Sequence, residues 1–72
     1  MPTFGEHLKF IRKKKKVTQK EVAQAIGSSE RNYQDYEADK KKPGFDNLIA
    51  LADYFDISLD YLVGRSENPA RL

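Results

Sequence analysis

Seventy-two residues hold a single modest core, which excludes a second catalytic or ligand-binding domain. Hydrophobic residues make up 39% and charged residues 33%; that suffices for a compact fold, but no apolar run approaches the ~20 residues of a membrane span. With no cysteine and one histidine, the chain excludes a disulfide framework, a thiolate metal site and a cysteine nucleophile, and it suits a reducing, cytoplasmic setting.

Taken in chain order, Met1-Pro2-Thr3-Phe4-Gly5-Glu6 lacks a basic region followed by an apolar stretch, so no secretory signal is expected. Thr3-x-x-Glu6 has the form of a capping box, and Phe4, Leu8 and Ile11 recur at helical spacing. They predict a first helix over about residues 4–14, its lysine-rich end suited to the negative pole of the helix dipole. A second capping box, Thr18-x-x-Glu21, opens a short helix of about 19–26 carrying Val22, Ala23 and Ile26, with Gly27 as its stop. Ser28-Ser29 offers the next cap. Tyr33 and Tyr36 then mark the buried side of a third helix of about 30–38.

Asp39 and Lys40-Lys41-Lys42-Pro43-Gly44 read as a loop. Phe45, Leu48, Ile49, Ala52 and Phe55 fit the stripe of an amphipathic fourth helix. Ser58 caps a last short helix with Leu59, Leu62 and Val63, ended by Gly64. The expected organisation is an all-α, five-helix domain over 1–64 and a polar, fraying tail over 65–72.

Charge is divided along the chain. Residues 1–43 carry eleven Lys/Arg against six Asp/Glu, a net +5, and residues 44–72 carry two against five, a net −3. Between Lys9 and Lys20 stand seven cations and no acid. Such a split suits one face turned to a polyanion and another kept off it, although a solvated lysine-rich helix end has the same composition.

Little supports catalysis. His7 stands alone and reads as an exposed or half-buried surface imidazole, Asp53 and Asp56 as solvating carboxylates, and there is no Gly-rich phosphate loop. No enzyme activity, metal, cofactor or small-molecule ligand is expected. The informative stretch runs from Thr18 to Tyr36: a capped helix, a short turn with glycine, and a second capped helix. Ala23 permits close approach and Gly27 the sharp turn. An ordinary corner of a helical bundle uses the same two residues.

Leu8, Ile11, Arg12, Thr18-Gln19, Glu21-Val22-Ala23, Ile26-Gly27, Ser29 and Tyr36-Glu37, followed by Pro43, Leu48, Ala52, Phe55 and Ser58-Leu59-Asp60-Tyr61-Leu62, resemble the phage repressor/Cro-type (XRE-like) helix-turn-helix domains. The likeness spans about residues 4–64. It is strongest to short regulators of Gram-positive bacteria and their phages, through the Arg-x-Tyr-Gln-x-Tyr-Glu run from Arg31 to Glu37. It implies five helices, double-stranded DNA held through a recognition helix of about 29–38 in the major groove, and transcriptional repression, usually as a homodimer on a two-fold operator.

Stepping ~100° per residue from a buried Tyr33 places Arg31, Gln34, Asp35 and Ala38 on the outer face of helix 3, with Glu30 at its edge. Arg31 suits guanine, Gln34 adenine, and Glu30 the cytosine amino group; Asp35 belongs to the same base-contacting set. Arg31 has an i, i+4 ion pair with Asp35 as its alternative. Asp35 departs from the resemblance, which commonly has a neutral or basic residue there. Two acids near phosphate weaken binding unless they are paired.

Phosphate contacts are expected from Gln19, which resembles the family's phosphate-clamping glutamine, from the more lateral Asn32, and from Lys14, Lys15, Lys16, Lys40, Lys41 and Lys42. The resemblance implies a structural ion pair between Arg12 and Glu37; two free surface charges are the alternative. Tyr33 stands where an aliphatic residue is usual, and either enlarges the core or sends its hydroxyl to solvent or phosphate. Tyr54, Tyr61 and Leu62 are expected at a dimer interface, with completion of the monomer core as the alternative. The rival function is a protein-interaction module, antitoxin-like or anti-repressor-like, whose helix 3 binds a partner protein.

Overall fold

The two capping boxes are where the chain turns into helix. In a computed structural model that describes residues 2–71, Thr3 Oγ1 accepts from the Glu6 N–H at 3.1 Å and Glu6 accepts from the Thr3 N–H at 2.8 Å. Thr18 and Glu21 repeat the exchange at 3.0 and 2.9 Å. Met1 and Leu72, the outer ends of the expected domain and tail, lie outside the described residues. The elements are α1 (Phe4–Lys14), α2 (Gln19–Ala25), α3 (Glu30–Glu37), α4 (Phe45–Phe55) and α5 (Leu59–Leu62), with no strand among the described residues. Ser29 and Ser58 cap α3 and α5 by accepting from the Asn32 and Tyr61 N–H groups.

Helices α1, α2 and α3 end alike, on a left-handed residue: Lys16 (φ 61°), Gly27 (φ 70°) and Asp39 (φ 61°). After each, an N–H folds back to a carbonyl five residues earlier: Val17 to Arg12, Ser28 to Ala23 and Lys40 to Asp35. Gly27 adopts this geometry freely. Asp39 does so at a cost of roughly 1–2 kcal/mol, and its carboxylate then reaches the start of α1, accepting from the Thr3 hydroxyl and, at 2.8 Å, from the Gly5 N–H. These two hydrogen bonds, the Thr3 one foremost, hold the Asp39 carboxyl below its ordinary range. Gly5 is what lets the helices meet. A Cβ there would lie 2.4 Å from the Glu37 carbonyl oxygen.

The core is built from Leu8 and Ile11 of α1, Val22 and Ala23 of α2, Tyr33 and Tyr36 of α3, Leu51, Ala52 and Phe55 of α4, then Ile57 and Leu62. Helices α1 and α2 both pack behind α3, α4 closes against α2, and α5 bridges α4 and α1. Two apolar assignments need correction. Leu62 is 0% exposed and completes the core, so it cannot serve a dimer interface; the apolar residues left exposed here are Leu59 of α5 and Val63, which caps it. Phe45 opens α4 with 76% exposure, because the first residue of the helix overhangs the stripe that buries Leu51, Ala52 and Phe55.

The tail expected to fray makes contacts with the body of the domain. The Ser58 N–H donates to the Pro69 carbonyl at 3.0 Å, and Arg71 meets Asp53 at 2.6 Å. Residues 65–71 thus fold back along the corner between α4 and α5. His7 is half-buried, with its Nε2 2.8 Å from the Tyr61 carbonyl oxygen.

Behind α3 lies one buried carboxylate. Glu37 accepts from Arg12 Nε at 2.6 Å and Nη2 at 3.2 Å, from Gln19 Nε2 at 3.0 Å and from the Tyr33 hydroxyl at 2.6 Å. The Tyr33 hydroxyl therefore turns inward, and neither solvent nor phosphate is its partner. Burial alone would raise the Glu37 carboxyl, but hydrogen bonds from Arg12, Tyr33 and Gln19 outweigh it and the net direction is down. Burial, followed by the bond to Glu37, pushes the Tyr33 phenol up.

Two outcomes follow from this packing. Gly5→Ala gains ~1 kcal/mol of helix propensity but forces backbone apart, so we expect a net loss of about 1–3 kcal/mol, read as a lower urea midpoint. Glu37 and Asp39 both titrate below their unfolded values, so their stabilisation is complete above the ordinary carboxylate range and is lost as pH falls through the folded values, below about pH 4. Glu37→Gln should cost about 3 kcal/mol at pH 7 by stranding Arg12 and flatten that acid decline. Urea melts from pH 7 to pH 3 check both, and an unchanged decline would refute the role given to Glu37.

Candidate nucleic-acid interface

Packed from behind by α1 and α2, α3 turns a polar ridge outward. The Arg31 side chain is 81% exposed, Glu30 is exposed, and Gln34 is half-buried beside it. The structure thus brings Glu30, Arg31 and Gln34 together on one outer surface. Asp35 shares that side of the helix, but its side chain is only 15% exposed and lies between two cations: Arg31 Nε at 3.6 Å and Lys41 Nζ at 3.8 Å.

Gln19 and Gln34 are linked. Gln34 Nε2 donates to Gln19 Oε1 at 3.4 Å and approaches Glu30 at 3.5 Å, while Gln19 Nε2 donates to Glu37 at 3.0 Å. A line of amides and carboxylates therefore runs from the buried Arg12–Glu37 pair to the outer ridge. Its inner bonds are short and shielded. Its outer bonds are long and near water, so a ligand presenting better partners can displace them. Glu37 orients Gln19, and Gln19 in turn restricts Gln34.

Several residues expected on phosphate are placed otherwise. Asn32 is half-buried and engaged by the protein's own groups: its Nδ2 donates to Ser28 Oγ at 2.9 Å and to the Tyr36 hydroxyl at 3.0 Å, and its Oδ1 accepts from Lys41 at 3.3 Å. The reason is its place on the flank of α3 that meets the turn and the first part of α4, where Asn47 also reaches the Tyr36 hydroxyl. Lys14 lies over the Phe10 ring at 5.7 Å. With Lys15 it borders a depression shared with Ile57, Tyr61 and Pro69, on the α5 side of the molecule. Lys16 is exposed in the turn after α1, and Lys40, Lys41 and Lys42 are exposed in the turn that leaves α3. Lys41 is tied to the ridge through Asp35 and Asn32.

Of the residues expected at a self-association surface, Tyr54 is 38% exposed and packs edge-on against Phe55. Tyr61 is half-buried, edge-on to His7. Two positions that matter to this site were missed by sequence reasoning: Gly5 and Asp39, which anchor the far end of α3 to α1. Their only local signal was a glycine inside a helix pattern, and their partners lie more than thirty residues away.

This arrangement has close counterparts. The sequence model of the helix-turn-helix family matches residues 8–62. The chain is similar to an uncharacterized HTH-type transcriptional regulator of Bacillus subtilis (strain 168), YobD, at 39% identity over 92% of this chain and 59% of that protein. It is similar also to the cryptic phage CTXphi transcriptional repressor RstR of Vibrio cholerae, at 40% identity over 83% of this chain and 54% of that one. It therefore spans little more than half the length of these relatives. Among solved structures, the P22 c2 repressor in complex with synthetic operator 9T superposes with a TM-score of 0.85 and 29% identity, over 92% of this chain and 100% of that one. The chain accordingly belongs to the helix-turn-helix family, with its five helices arranged as in the phage-repressor domains.

Proposed function

We propose that the chain binds double-stranded DNA selectively, with α3 in the major groove, and acts as a transcriptional regulator, in the first instance a repressor. The observation that carries this reading is the outer ridge of α3, where Arg31, Gln34 and Glu30 stand together on a helix fixed from behind by the Glu37 hydrogen bonds. Arginine forks onto guanine O6 and N7 and glutamine pairs with adenine, each discriminating by roughly 1–3 kcal/mol. The likeness to a repressor solved on its operator supports the same placement.

Phosphate contacts fall in this reading to Gln19 at the start of α2 and to Lys40, Lys41 and Lys42 beyond the end of α3, with Lys16 at the margin. One module buries little surface on DNA, so two copies on sites ~34 Å apart give useful selectivity. Tyr54, Leu59 and Val63 are exposed apolar side chains at the C-terminal end of α4 and around α5 and form the self-association surface of this proposal, with the visible part of Tyr61 beside them.

Binding to duplexes selected from a random pool, measured against salt, tests the reading. Arg31→Ala should erase preference at one base position, at a cost of about 1–3 kcal/mol on the preferred duplex alone. Lys41→Ala should weaken every duplex alike and reduce the salt slope by about 0.9. A helix that serves a protein partner instead would leave the chain without measurable DNA binding. Val63→Glu should leave the melting temperature unchanged but abolish cooperative occupation of a two-fold site by two copies; unaltered cooperativity would remove α5 from the interface.

A further inference from the structure

We infer that Asp35 is a positioning residue that presents Arg31 to the groove, so that sequence selectivity depends on an acid on the DNA-facing helix. The inference rests on the DNA-binding reading and gives Asp35 a different task from the base contact expected of it. Three observations carry it. The Asp35 carboxylate is largely withdrawn, at 15% side-chain exposure, whereas Arg31 stands out at 81%. Both its oxygens face cations, Oδ1 towards Arg31 Nε at 3.6 Å and Oδ2 towards Lys41 Nζ at 3.8 Å. The Asp35 backbone carbonyl also accepts from the Lys40 and Lys41 N–H groups at 2.9 and 3.3 Å, which holds the lysine turn beside it.

The atoms involved are informative. Arg31 meets Asp35 through Nε, the inner nitrogen of the guanidinium, and its two terminal nitrogens remain available for the forked contact that guanine requires. An exposed arginine without such a partner samples many rotamers, and holding the fork in one orientation reduces what must be ordered on binding. A carboxylate occupied by two cations is poorly placed to accept from a base. It also presents little uncompensated negative charge to phosphate. Asp35 thereby couples the residue that reads a base to a lysine that meets the backbone.

An acid that merely repelled DNA would behave differently when neutralised. Asp35→Asn keeps the shape and removes the charge. Affinity should be measured for the native protein's preferred duplex and for a random duplex, with the melting temperature recorded to confirm folding. We expect tighter binding to the random duplex by a few-fold and weaker binding to the preferred one, so that their ratio falls about tenfold. In an Arg31→Ala background the same substitution should raise both affinities equally. Equal gains on both duplexes in the native background would overturn the positioning role, as would a loss of selectivity that persists without Arg31. A native protein with no duplex preference at all would overturn the DNA-binding reading beneath it.

Discussion

One carboxylate cannot be buried until three helices have arrived. Glu37, at the end of α3, takes hydrogen bonds from Arg12 of α1, Gln19 of α2 and Tyr33 of its own helix. Desolvating a carboxylate without partners costs several kcal/mol, so any arrangement that leaves one of these donors out is disfavoured relative to the native one. An apolar cluster of the same volume could match the net stability. It would not fix the rotation of α3 about its axis as tightly, because dispersion contacts lack direction while hydrogen bonds to a carboxylate have it. The placement of the outer ridge follows from that rotation. Tyr33 extends the arrangement: where an aliphatic side chain would only fill space, the phenol both fills it and supplies a donor.

Much of the architecture was legible because it is local. Thr3 with Glu6 and Thr18 with Glu21 satisfy backbone donors within one turn, and Gly27 stops α2 where only a glycine turns without strain. What escaped is non-local. Gly5 and Asp39 meet across 34 residues, and neither position carries a pattern that names the other. Leu62 ends a helix of four residues and Val63 caps it, a segment too short for periodicity to say which of the two faces in. Phe45 matched the spacing of the α4 stripe, yet spacing counts positions and does not say where the neighbouring helices stop.

The candidate site shows the same division. Stepping around α3 from a buried Tyr33 put Arg31 and Gln34 outward, since a helix of eight residues preserves its angular order. The lysine run after Lys9 was harder to read. Consecutive residues on a helix point in different directions, so seven cations in sequence are not one patch in space. Arg12 is turned into the Glu37 pair, Lys14 is drawn onto Phe10, and Lys15 borders the α5 side. Linear charge density does not by itself say which of these cations share a face.

What remains is a separation of tasks by distance from the helix axis. On α3 itself the exposed charges cancel: Glu30 is an acid and Arg31 a cation, Asp35 is withdrawn between Arg31 and Lys41, and Glu37 is buried against Arg12. Such a ridge has little attraction of its own for a polyanion, so random duplex gains little from it. In the proposed reading the attraction falls to the lysine turn that follows, through phosphate contacts that are indifferent to base order. A recognition helix that was itself strongly cationic would bind all DNA more tightly and would narrow the gap between right and wrong sites. Under the proposed function, near-neutrality on the ridge with cations at its end would let base edges set where the protein stays, while phosphates would set only that it stays on DNA.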